Sequence, residues 1–204
     1  MSLIQLDEIF VHQKFEGFEL LGFETRNKYE ILNSNNQPIG YAAEQKQGFW
    51  GGFVARQFLG HWRIFDVKFF DSQRQEVMLA HHPFRFYFER LEIQKPDGTP
   101  LGALQRRFSI FTKKFDLEDA HGNVVLEMRS PIWKMWTFPF YSKGNEVARI
   151  EKKWSGLLTE LFTDKDIFRI VFVQNSLSDA VRWVILAAAV FVDLRFFETK
   201  ANNN

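Results

Sequence analysis

Hydrophobic and polar positions alternate along most of this chain. The runs Phe84-Arg85-Phe86-Tyr87-Phe88-Glu89 and Phe111 to Leu117 show the alternation most plainly. A period of two is the signature of half-buried β-strands, so both runs are predicted as strands. Polar turns separate such runs at Asn33–Gly40, Asp71–Val77, Lys95–Gly102, Glu118–Val125 and Ser142–Val147. Pro96-Asp97-Gly98 and His121-Gly122-Asn123 carry turn chemistry, because proline presets φ and glycine tolerates positive φ. The pattern predicts repeated hairpins, with ten or more strands in all.

The pattern breaks once, at Ala180–Phe197, AVRWVILAAAVFVDLRFF. Its uncharged part runs from Trp183 to Val192, bounded by Arg182 on one side and by Asp193 and Arg195 on the other. As a helix that part is about 15 Å long, against roughly 30 Å of hydrocarbon in a bilayer. It is too short to span and is predicted as a buried helix over about residues 177–197, with Ser176 and Asp179 as a capping box. A helix apolar nearly all round needs partners on every side. A sheet wrapped around it supplies them and also removes exposed strand edges. The fold class expected is mainly β, a closed antiparallel barrel around a C-terminal apolar α-helix. Residues 1–204 read as one domain, with 200–204 as a tail.

Composition narrows the function. The chain is 46% hydrophobic with 24 Phe, enough to fill a closed sheet, and its net charge of +1 gives no global nucleic-acid footprint. It has no Cys, which removes disulfides, thiolate zinc sites and thiol catalysis. No secretory signal is visible at MSLIQLDEIF. Nucleophile elbow, zinc-protease and P-loop motifs are absent, so no enzyme is expected. The histidines, His12, His61, His81, His82 and His121, read as turn or surface residues without ligand spacing.

The stretch Gly22–Glu44, GFETRNKYEILNSNNQPIGYAAE, resembles the opening of the phospholipid scramblase family. Leu6-Asp7-Glu8-Ile9 with Gln13 and Glu16 lies upstream in the same pattern. Leu91–Gly102, Arg149–Gly156 with Phe162-Thr163-Asp164, and Val192-Asp193-Leu194 with Phe196-Phe197-Glu198 follow in order. The resemblance implies kinship with tubby C-terminal and plant LURP-one-related domains, and hence a barrel of about twelve strands around the helix. It also implies a calcium segment at Asp164–Asn175, in which Asp164 and Asp166 match the first acidic positions. Asn175 stands where a closing acid is expected, and Lys165 and Arg169 add positive charge. Calcium prefers six to eight oxygens, so any calcium site here is weak by ligand count. The family's nuclear-import region falls at Arg149–Gly156 and reads here as a strand end with solvated charges. The proline-rich leader and cysteine cluster of plasma-membrane members find no match in this sequence.

Membrane contact is the expected activity. Arg106-Arg107-Phe108-Ser109-Ile110-Phe111-Thr112-Lys113-Lys114 brackets apolar residues with two cationic pairs. A turn near Ser109–Thr112 would put Arg106, Arg107, Lys113 and Lys114 at one rim, toward acidic headgroups, with Phe108 and Phe111 between them. Phe49 and Trp50, in Gly48-Phe49-Trp50-Gly51-Gly52-Phe53, form a second interfacial candidate. The partner expected is the surface of a phospholipid membrane, with the protein cytoplasmic and peripheral to its inner face. Nucleic acid and a transmembrane span are not expected. The resemblance adds possible transbilayer lipid movement. The alternative is a tubby-like scaffold barrel that holds protein partners.

Overall fold

The structure, a computed structural model, describes residues 2–14, 25–45, 64–153 and 167–197. Twelve antiparallel strands close into one barrel in which each strand pairs with its sequence neighbour and the last returns to the first. The strands are β1 (Glu8–Lys14), β2 (Thr25–Asn33), β3 (Pro38–Gln45), β4 (Phe65–Asp71), β5 (Glu76–His82) and β6 (Arg90–Gln94). They continue as β7 (Pro100–Arg106), β8 (Thr112–Asp119), β9 (Val124–Pro131), β10 (Thr137–Ser142), β11 (Asn145–Lys153) and β12 (Ile167–Phe172). Helix α1 (Asp179–Phe196) then fills the lumen.

This up-and-down order gives the barrel two unlike ends. Connections after even-numbered strands are tight, and an Asn or Asp at the strand end builds several of them. Asn33 Oδ1 accepts from the main-chain N–H of Asn35 and Gln37 at 2.9 and 3.0 Å. Asp71 does the same for Gln73 and Gln75, and Asp119 for His121 and Asn123, all at 2.9 Å. These are Asx turns, which replace ladder hydrogen bonds at the reversal. The described connections after odd-numbered strands, residues 83–89, 107–111 and 132–136, lie at the opposite end and are five to seven residues long.

Inside, the period-2 alternation does what a closed sheet requires. Phe115 and Leu117 of β8, Phe138 and Phe140 of β10, and Phe168 and Ile170 of β12 point inward and are buried. They meet α1, whose residues Trp183–Leu194 are buried on every side. Each enclosed large apolar side chain contributes about 1.5–3 kcal/mol relative to exposure. The helix is capped by Ser178, whose hydroxyl accepts from the Val181 N–H at 3.4 Å, and not by Ser176. Asp179 instead reaches out of the helix, accepting from the Leu3 N–H at 2.6 Å and from the Ser2 hydroxyl at 3.3 Å.

Two further expectations are corrected. Phe84–Glu89 is not a strand but the connection from β5 to β6. Pro83 offers no N–H to extend β5, and burial does not alternate here, since residues 84–88 are all exposed and Glu89 is buried. Arg182 and Asp193, which flank the uncharged run, lie within the predicted buried helix and are both fully enclosed. His12 and His82 are buried rather than at the surface, and His82 lies in the core. His82 stacks on Phe65 at 4.7 Å and faces Phe191 at 5.7 Å, while His81 on the outer face meets Asp66 at 2.5 Å.

One close approach fixes the helix against the wall. At Gly102 in β7, φ is +153°, and an added Cβ would lie 2.4 Å from the Glu118 carbonyl oxygen and 3.1 Å from Val184 Cγ2. Gly102→Ala is therefore expected to lower stability by about 2–4 kcal/mol, read as the shift in a urea unfolding midpoint. An unchanged midpoint would mean that the β7–β8 ladder yields locally without disturbing the helix.

Candidate functional site

The long-loop end concentrates what the core leaves out. Loops 83–89, 107–111 and 132–136 are neighbours there, because β6 pairs with β7 and β8 pairs with β9. Main-chain bonds tie them together, from Arg106 N–H to Glu89 O at 2.9 Å and from Ile132 N–H to Phe111 O at 3.1 Å. Of the thirteen exposed large hydrophobic residues among those described, ten sit at this end, and nine of these lie in the three loops. A soluble monomer scatters such residues singly, so their concentration makes this end the candidate interaction surface.

The four cations proposed for headgroup contact lie around the 107–111 loop in different settings. Arg106 donates to Glu89 at 2.9 Å. Arg107 pairs with Asp116 at 2.6 Å and with Glu118 at 3.3 Å. Lys113 points into the mouth, its ammonium 4.8 Å from the Phe138 ring centre and 5.0 Å from that of Phe196. Lys114 faces outward, beside Arg129 of β9 in the strand register. Phe108 and Phe111 are exposed at the loop tip. Phe49 and Trp50, like Asp164 and Asp166, lie outside the described residues. Among the described residues no cluster of three metal-ligating side chains occurs.

Two features escape sequence reasoning. The first is the aromatic set of the 83–89 loop, disguised as a strand. The second is Glu89, whose buried carboxylate takes Arg106 from β7 and Arg195 from the last turn of α1. It ties the aromatic loop to the helix. Opposite it, Lys152 stands 3.7 Å over the Phe197 ring, so cations gather at the helix C-terminus, where the macrodipole favours them. The helix thus runs from the tight-turn end, where Arg182 contacts Leu3 and Leu6, to the long-loop end, where Phe197 stacks on Trp136 at 5.4 Å.

The model of the Scramblase family matches residues 1–199. Phospholipid scramblase 1 of Rattus norvegicus is 34% identical, with the alignment covering 98% of this chain and 62% of that protein. Phospholipid scramblase 2 of Bos taurus is 33% identical, with coverage of 96% and 70%. The chain spans 62% and 64% of the length of the rat and mouse scramblase 1 proteins. A solved structure of an Arabidopsis thaliana protein matches the fold with a TM-score of 0.50 at 12% identity, covering 91% of this chain and 90% of that one.

Proposed function

The chain belongs to the Scramblase family, and from that premise we propose that it binds acidic phospholipids at a membrane surface through the long-loop end of its barrel. The observation that carries this reading is the 106–114 segment, in which exposed Phe108 and Phe111 stand between cationic strand ends. The three described loops together hold Arg85, Arg107 and Lys134 against a single acid, the buried Glu89. Anionic headgroups would meet Arg106, Arg107, Lys113 and Lys114, each worth about 1 kcal/mol near an anionic surface, or less where a carboxylate already shares the charge. Calcium at Asp164 and Asp166 enters this reading only through the family resemblance, as a site weak by ligand count.

Among the described residues no helix is long and apolar enough to cross a membrane. Transbilayer movement of lipid requires a polar route for the headgroup, and the enclosed apolar helix offers none. Surface binding is therefore the activity proposed, at the inner face of the membrane, with lipid movement a further step.

Vesicle co-sedimentation tests it. Changing Arg106, Arg107, Lys113 and Lys114 to Gln should weaken partitioning onto acidic vesicles about a hundredfold and flatten its salt dependence. Unchanged binding by the folded variant would remove these cations from the site. A second reading, a scaffold for protein partners, draws on a groove of about 820 Å³ on the outer wall, lined by Glu127, Arg129, Pro139, Tyr141 and Arg149 among others. Indifference of the unmodified protein to vesicles of any composition would favour it.

A further inference from the structure

Cations alone do not account for the long-loop end, because much of their charge is met within the protein. Arg106 and Arg107 hold carboxylates of their own, and Arg85 pairs with Glu92 at 3.3 Å. The apolar groups there stand largely in solvent. Tyr87 is 84% exposed, Phe108 75% and Trp133 71%, one from each of the three adjoining loops. Phe86 and Phe88 flank Tyr87 in the open, and Phe111 stands beside Phe108. At the opposite end the reversals are polar Asx turns, with only Ile4, Val124 and Val173 exposed among the described large hydrophobics.

Resting on the membrane reading above, we propose that the three loops form one insertion crown that docks the barrel end-on. Phe86, Tyr87, Phe88, Phe108, Phe111 and Trp133 enter the leaflet, and the C-terminus of α1 faces the bilayer. Three observations select a lipid surface over a protein partner. The apolar groups sit on loop tips spread across three strand pairs, which suits a deformable apolar phase. Tyr87 and Trp133 are the amphipathic rings that settle at the headgroup level. The cations Arg85, Arg107 and Lys134 lie among them and match an anionic surface in charge. The crown is braced from behind, because Glu89 closes the 83–89 loop onto Arg106 and Arg195. Charge then sets the preference for acidic lipid, and the aromatic rings set the depth and the part of the binding that survives salt.

The chain has no cysteine, so single cysteines report depth cleanly. Tyr87→Cys, Phe108→Cys, Trp133→Cys and, at the far end, Asn35→Cys and His121→Cys are labelled with an environment-sensitive fluorophore. Each is mixed with phosphatidylcholine vesicles with and without phosphatidylserine. Labels at 87, 108 and 133 should shift to the blue and be quenched by lipids brominated along the acyl chain, while those at 35 and 121 stay wet. The combined variant Phe86→Ser, Tyr87→Ser, Phe88→Ser should lose about tenfold or more of its partitioning at high salt and keep its preference for acidic lipid. Vesicle binding with all five labels wet would overturn the crown and leave the membrane reading standing. Absence of vesicle binding by the unmodified protein would overturn both. A dimer in vesicle-free buffer that the serine variant abolishes, with no label entering lipid, would make this end an interface between copies and overturn the proposal.

Discussion

Ala188→Asp is expected to abolish folding. Ala188 lies midway along α1, fully buried, with Ala187 and Ala189 enclosed on either side. A carboxylate there has the barrel wall around it and no water. Leaving a charge unpaired in such surroundings costs several kcal/mol or neutralises the group, and effects above about 4–5 kcal/mol are reserved for this kind of change. A domain's whole stability is about 5–15 kcal/mol, so little margin remains. The expected result is loss of the β-rich circular dichroism spectrum and of cooperative melting. Ala188→Val calibrates the site, since one overpacked position costs about 1–3 kcal/mol. A helix that served as a membrane anchor would behave differently. Ala188→Asp would then leave the barrel intact and reduce only membrane attachment, and that outcome would overturn the core placement of α1.

The barrel was legible because two periods compete cleanly in this chain. Strands such as β8 show alternation that a single buried face demands, and Phe115 and Leu117 obey it. The helix was legible from its length: ten uncharged residues from Trp183 to Val192 suit a lumen better than a bilayer. What misled was local chemistry without its tertiary partner. Arg182 and Asp193 fall within the predicted buried helix, and only the fold reveals which groups meet them there. Asp193 accepts from the Tyr29 hydroxyl at 2.8 Å across 164 residues of sequence, a contact no periodicity announces. The histidines fail for a related reason. Alternation puts His81 and His82 on opposite faces, but which face is inside depends on β4 and α1.

The candidate site divides along the same line. The bracket of cations around Phe108 and Phe111 is visible as a string, since all its members belong to one hairpin. Loops 83–89 and 132–136 become part of that surface only when β6 pairs with β7 and β8 with β9. Phe84–Glu89 also carries a strand's alternation, so its rings read as core until Pro83 and the buried ion pairs of Glu89 are seen together. Phe49, Trp50, Asp164 and Asp166 fall outside the described residues, and their roles stay with the proposal.

Arg182→Met is expected to be the second most damaging change, and its effect should spread from the helix to the N-terminal segment. Arg182 is fully buried and donates to the carbonyls of Leu3 at 3.0 Å, Leu6 at 2.6 Å and Leu177 at 3.3 Å. Its guanidinium also lies 4.3 Å from the Phe172 ring centre. Burial pulls its pKa down from the ordinary value while Asp7 and Asp179 push it up, and an arginine keeps its proton throughout. Methionine fills much of the volume but donates nothing, so the Leu3 and Leu6 carbonyls lose their donor, at about 1–3 kcal/mol each. A loss of about 4 kcal/mol corresponds to a melting shift on the order of 10 °C for a chain of this size. Asp179 would still hold the Leu3 N–H, so the segment should loosen rather than detach, which faster amide exchange at residues 2–7 would report. Arg182→Lys should fall between, because one ammonium cannot span three carbonyls. Replacement of a buried charge by an apolar residue of similar volume is often neutral when the charge serves only another charge. An Arg182→Met variant as stable as its parent would therefore mean that packing of Leu3 and Leu6 closes this end of the barrel, with the guanidinium merely tolerated there.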